Sequence, residues 1–101
     1  MGTVQEFFEG LPGRVSADRI AGMNNTYVFD IDGAGTWTVA IADGTITVSE
    51  GAGDADCTFS ASEESFEKIV SGEQNPTTAY MTGKLKIKGD MGAAMKLQKL
   101  F

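Results

Sequence analysis

The chain has 101 residues, 42% of them hydrophobic and 22% charged, and a net charge of −6. This bounds it to one domain, residues 1–101, with a modest core, and argues against nucleic acid, whose phosphates need a positive face. Histidine is absent and Cys57 is the sole cysteine. Ser-His and Cys-His catalysis, imidazole metal sites and a disulfide framework therefore drop out, and a reducing, cytoplasmic setting is expected.

No apolar run approaches the ~18 residues of a membrane span, and the N-terminus lacks a signal peptide's charged and apolar regions. Glu6 stands where a myristoylation site requires Ser or Thr.

Thr3 and Glu6 have the spacing of a capping box. Val4, Phe7, Phe8 and Leu11 then repeat at helical intervals, and Leu11-Pro12-Gly13 is expected to stop the helix. Residues 16–23 read as a short helix or an irregular turn. Three alternating strands follow, carrying Tyr27, Phe29 and Ile31, then Trp37, Val39 and Ile41, then Ile46 and Val48 on one face each. Asp32-Gly33-Ala34-Gly35 and Asp43-Gly44 are the hairpin turns, because Asp-Gly tolerates positive φ. A fourth strand spans residues 56–60, with Cys57 and Phe59 on one face. Cys57 reads there as a buried, inert thiol.

Ser60 and Glu63 have the spacing of a second capping box, ahead of a helix carrying Phe66, Ile69 and Val70 and stopped by Gly72. Asn75-Pro76 opens a further short helix, with Asn as cap and Pro at the first position, and Gly83 ends it. The order is helix, three-strand meander, strand, helices, strand, helix. One antiparallel-rich sheet with a single apolar face must be covered by amphipathic helices, which is an α+β fold.

The segment GKLKIKGDMGAAMKLQKLF, residues 83–101, is the most informative. Leu85 and Ile87 alternate with Lys84, Lys86 and Lys88, and a Gly89-Asp90 break leads into a terminal helix. Helical spacing aligns Met91, Ala94, Met95 and Gln98 on one face, widened by Leu97, Leu100 and Phe101. Gly92, Ala93 and Ala94 leave room, and Met fills irregular space. The pattern fits a helix that covers a variable apolar guest, and it also fits a terminal helix docked on the core. The lysines suit a protected strand edge or transient contact with an anionic membrane surface.

No catalytic constellation is visible, which leaves only a carboxylate-based enzyme open. Asp30-x-Asp32-Gly33 opens like a calcium loop but lacks its later ligands, so a strand end entering a turn is expected. No phosphate-binding glycine loop, metal set or cofactor motif is present. An apolar cavity of ~300 Å³, left empty, would forgo roughly 7 kcal/mol, comparable with the ~5–15 kcal/mol stability of a whole domain. A fatty chain returns about 0.8 kcal/mol per buried methylene. A lipid guest is therefore energetically feasible.

The stretches YVFDIDGAGTWTVAIADG (27–44), DADCTFSASEESFEKIVSGEQNPTTAYMTG (54–83) and GKLKIKGDMGAAMKLQKLF resemble the sterol carrier protein-2 family over nearly the whole chain. The resemblance implies a five-stranded, mostly antiparallel sheet covered on one face by helices, with an apolar tunnel between them. It implies non-enzymatic binding and transfer of fatty acids, fatty acyl-CoA, sterols or other lipids. By position, Trp37, Phe66, Met81, Leu85, Ile87, Met91, Ala94 and Met95 would line the tunnel, and Gln98 would meet a headgroup oxygen. The chain stops at Lys99-Leu100-Phe101, without the small peroxisomal tripeptide of many eukaryotic relatives. A monomer or weak dimer is expected. The alternative is an accessory domain whose groove takes a partner segment or presents lipid to an enzyme.

Overall fold

In the computed structural model, which describes residues 3–14, 18 and 20–97, periodicity becomes elements in the expected order. These are α1 (Thr3–Arg14), β1 (Asn25–Asp32), β2 (Gly35–Ala42), β3 (Thr45–Glu50), β4 (Cys57–Ser62), α2 (Glu63–Val70), α3 (Pro76–Met81), β5 (Leu85–Gly89) and α4 (Met91–Leu97). The five strands form one sheet ordered β3-β2-β1-β4-β5. β1–β2, β2–β3 and β4–β5 pair antiparallel, whereas the central β1–β4 pair is parallel. The fold is α+β with a mixed, mostly antiparallel sheet, and the helices pack on one face.

Alternation decides which face is covered. Val39, Tyr27 and Cys57 are register partners in one inward row, Trp37, Phe29, Phe59 and Ile87 in the next, and Ile31, Ala61 and Leu85 in a third. The outer face carries Thr, Ser, Asp and Lys with Ala40 and Ala42, and on it Val28 is buried at 4% exposure. The β3–β4 connection, residues 51–56, explains it. Thr38 Oγ1 donates to the Gly51 carbonyl at 2.7 Å, and the Thr26 amide donates to Asp56 Oδ2 at 2.8 Å. The loop thus crosses the outer face over β2 and β1 and shields Val28.

Local chemistry sets the boundaries. Asp43 at φ 52° and Gly44 at φ 73° make the second hairpin turn, as Asp-Gly predicts. Asn75 Oδ1 accepts from the Thr77 and Thr78 amides, which caps α3 with Pro76 at its first position. The expected Ser60–Glu63 box is corrected. β4 stays paired with β1 through Ala61 and Ser62, so the cap shifts to Ser62, whose hydroxyl accepts from the Ser65 amide at 3.2 Å. The stop at Leu11-Pro12-Gly13 is also corrected, since α1 runs on to Arg14. The Thr3 side chain lies outside the described residues, so its box does too. In 16–23, the described positions before Met23 form a turn closed by the Met23 amide on the Ile20 carbonyl at 3.0 Å.

Candidate functional site

Between sheet and helices lie two differently built regions. In the first, Phe8 of α1 is a fully buried hub. It stacks on Trp37 at 4.7 Å and on Phe66 at 5.4 Å between ring centroids, and tilts on Phe29 at 5.1 Å. Phe7 meets Phe8 and Phe66 edge-on. Phe29 passes the stack to Phe59 at 5.1 Å. Such pairs add ~0.5–1.5 kcal/mol each beyond area burial, so this region is dense and rigid.

The second region is the margin formed by β5, α3 and α4. Here Leu85 is buried and Ile87 half-buried on β5, and α4 approaches through Ala93 and Ala94. Two alanines let the helix backbone come close enough for Tyr27 on β1 to donate its hydroxyl to the Ala93 carbonyl at 2.7 Å. Asp90 starts the helix. Its amide donates to the Asp56 carbonyl at 2.8 Å, and its Oδ1 accepts from the Gly92 and Ala93 amides at 2.8 and 3.3 Å. Gly89 has φ 111°, and a Cβ there would collide with the Asp56 carbonyl oxygen. Only glycine lets β5 turn into α4 beside that backbone.

Burial pushes the Tyr27 phenol up to about 12, helped by the negative charges of Cys57 thiolate, Asp56 and Asp90. Burial, with Asp90 and Asp56 nearby, also raises the Cys57 thiol. Tyr27 therefore stays a neutral donor, and Cys57 stays an unreactive thiol, as its strand position predicts.

The structure brings Trp37 and Phe66 together around Phe8, and places Leu85, Ile87 and Ala94 at the β5–α4 margin. Phe59, paired with Ile87, links the two groups. The methionines are a correction to the expected helical face. Met91 is exposed, as are Met95 at 67% and Met81 at 79%. The Tyr27–Ala93 bond and the Asp90 cap fix the rotation of α4, turning its alanines inward and Met91 and Met95 outward. Gln98 lies outside the described residues. Tyr27, Asp56 and Asp90 were missed as organisers of this margin. For Asp90 a signal existed, because an Asp directly before a helical run is a cap signature.

Known proteins are similar to this chain in sequence and fold. The model of the SCP-2 sterol transfer family matches residues 5–101. Hydroxysteroid dehydrogenase-like protein 2 of Bos taurus is 39% identical over 98% of the chain, which spans only 25% of that protein. The sterol carrier protein domain 2 of Helicoverpa armigera is 30% identical with a TM-score of 0.78, over 96% of this chain and 81% of that one. The sec-alkylsulfatase Pisa1 from Pseudomonas sp. contains the same fold at a TM-score of 0.85 and 22% identity, covering 100% of this chain and 17% of that one.

Proposed function

We propose a lipid-carrying role for this chain, which belongs to the SCP-2 sterol transfer family. One apolar chain of a fatty acid, fatty acyl-CoA, sterol-like lipid or phospholipid lies between sheet and helices, with α4 as the movable cover and no chemistry performed on the guest. The observation that carries this reading is how the described part of α4, Met91–Leu97, meets the sheet: among the described residues it does so through two alanines and one tyrosine–carbonyl bond. Beneath it run the apolar side chains of Phe59, Leu85 and Ile87. A guest methylene buried against them returns about 0.8 kcal/mol.

Trp37, Phe66, Leu85, Ile87 and Ala94 form the wall in this reading. Met81, Met91 and Met95 fold onto the guest when the margin opens, since an unbranched thioether chain adapts to variable shapes. Gln98 contacts the polar end of the lipid. Native mass spectrometry of freshly purified protein, paired with titration of a fluorescent fatty acid, tests the reading. The intact chain should carry or acquire one lipid per monomer, and removal of residues 91–101 should abolish retention. An unchanged dissociation constant after truncation would discard the cover.

A second reading is favoured by coverage. The chain spans about a quarter of its curated dehydrogenase-like relatives, so in this reading it serves an attached enzyme by presenting lipid to it. Fusing the chain to a relative's catalytic portion should then lower KM for lipid substrates while leaving kcat for water-soluble ones unchanged.

A further inference from the structure

Asn25 stands where a strand residue of another kind is expected. It opens β1 on the covered side of the sheet, because it alternates with Thr26 and shares its face with Tyr27, Phe29 and Ile31. Its register partner is Ile41, which pairs in turn with Ile46, and both isoleucines are buried. Ile20 and Met23, in the turn before the strand, are buried as well. An amide thus sits at the end of an apolar row, a place that favours β-branched and aromatic side chains and disfavours Asn.

The backbone does not explain the choice. Asn commonly serves a left-handed conformation, a turn or a helix cap. Among the described residues other than glycine, only Asp43 has a positive φ, and Asn25 is paired within the sheet rather than placed before a helix. Its Oδ1 is buried and accepts from no donor of the protein, the only such side-chain atom among the described residues. Buried acceptors are nearly always paired, and an unpaired one costs more than an apolar group of the same shape. A donor that arrives with a ligand removes that cost.

We infer that Asn25 is a specificity-determining contact for the guest: its amide oxygen accepts a hydrogen bond from a lipid hydroxyl, so the chain prefers neutral long-chain or ring alcohols to fatty acids. The inference rests on the carrier reading and adds a contact on β1 to the one proposed for Gln98. A hydroxyl carries a donor as well as lone pairs, whereas an ionised carboxylate only accepts. Two facing acceptors would both stay unpaired. The charges nearby act in the same direction. Asp56 and Asp90 are close enough to help push the Tyr27 phenol up to about 12, and Asp56 Oδ2 accepts from the amide of Thr26, beside Asn25, at 2.8 Å. Lys84, Lys86 and Lys88 alternate with the inward Leu85 and Ile87, so they lie on the other side of the sheet. A lipid carboxylate at this end would meet the two aspartates without those lysines to offset them.

Titration of the 101-residue chain with 1-decanol, decyl methyl ether and decanoate, followed by amide NMR, tests it. The ether keeps the chain and the oxygen of the alcohol but cannot donate. Decanol should bind about tenfold more tightly than the ether or decanoate, with shifts at the Asn25 and Ile41 amides. Asn25→Leu should erase the alcohol preference, keep the affinity for the ether and preserve or raise Tm. Asn24→Ala, at the exposed neighbouring position, should leave the preference intact. If Asn25→Leu does not fold, the alcohol–ether comparison on the wild type still decides. Equal affinity for alcohol and ether, tighter binding of decanoate, or an unchanged alcohol preference in Asn25→Leu would each overturn the inference and leave the carrier reading standing. Binding of none of the three would discard the carrier reading and the inference with it.

Discussion

The two ends of the sheet's covered face are held by different physics. Around Phe8, five aromatic rings share one space, and α1 and α2 are fixed by side chains that fill it. Across the sheet, among the described residues, α4 is held by alanines, a cap and a single phenol-to-carbonyl bond. Dense ring packing resists any small displacement, because each lost ångström forfeits many contacts at once. A margin pinned by hydrogen bonds can open as a unit and close again. A protein that must be both stable and openable can divide those tasks between two places, and the proposed carrier role assigns them to these two regions.

Removing the hub should have the largest effect. Phe8→Ala should cost about 3–5 kcal/mol, lower the urea midpoint for the whole domain and loosen α1 and α2 together. If only α1 amides exchanged faster, the two-region contrast would fail at its rigid end. Tyr27→Phe should cost about 1 kcal/mol and act locally. Hydrogen exchange should accelerate in α4 while the α2 amides keep their protection, and uniform acceleration would contradict the separation.

Alkaline pH reads the same bond without mutation. The folded-state pKa of Tyr27 is raised from 10.0 to about 12. Its contribution is therefore complete below pH 10 and is lost as pH rises toward 12. Cys57, shifted in the same direction, adds to the decline. Thermal unfolding of the wild type should weaken across that window, and Tyr27→Phe should flatten the curve. Met95→Ser should have the smallest effect, within about 0.5 kcal/mol, because the side chain lies in solvent. A large loss of Tm would mean that Met95 packs more tightly than its exposure indicates.

The rigid region was the more legible of the two in the sequence. Val4, Phe7, Phe8 and Leu11 declared a buried helix face, and each strand declared its inward row by alternation. The margin was less readable. The face of a helix containing Gly92, Ala93 and Ala94 is set by where its backbone can approach the sheet, and side-chain hydropathy then ranked the larger methionines above the alanines. Asp56 acts on backbone amides that are distant in sequence, its carboxylate accepting from Thr26 and its carbonyl from Asp90, and no local spacing encodes that. The Ser62 cap was missed because parallel pairing with β1 carries β4 two residues past the Ser60 that a local reading selects.

The parallel pairing of β1 with β4 also governs the order in which the chain can fold. β1, β2 and β3 form a local meander, but Tyr27 finds its β4 neighbour Cys57 only thirty residues later. A chain emerging from the ribosome completes the meander first and holds it with one flank of β1 unpaired. That flank is an open edge bearing Tyr27, Phe29 and Ile31, the kind of template that recruits foreign strands. The hazard ends when residues 57–62 arrive, so conditions that slow synthesis just after β3 should favour aggregation of a protein whose finished form presents only β3 and β5 as edges.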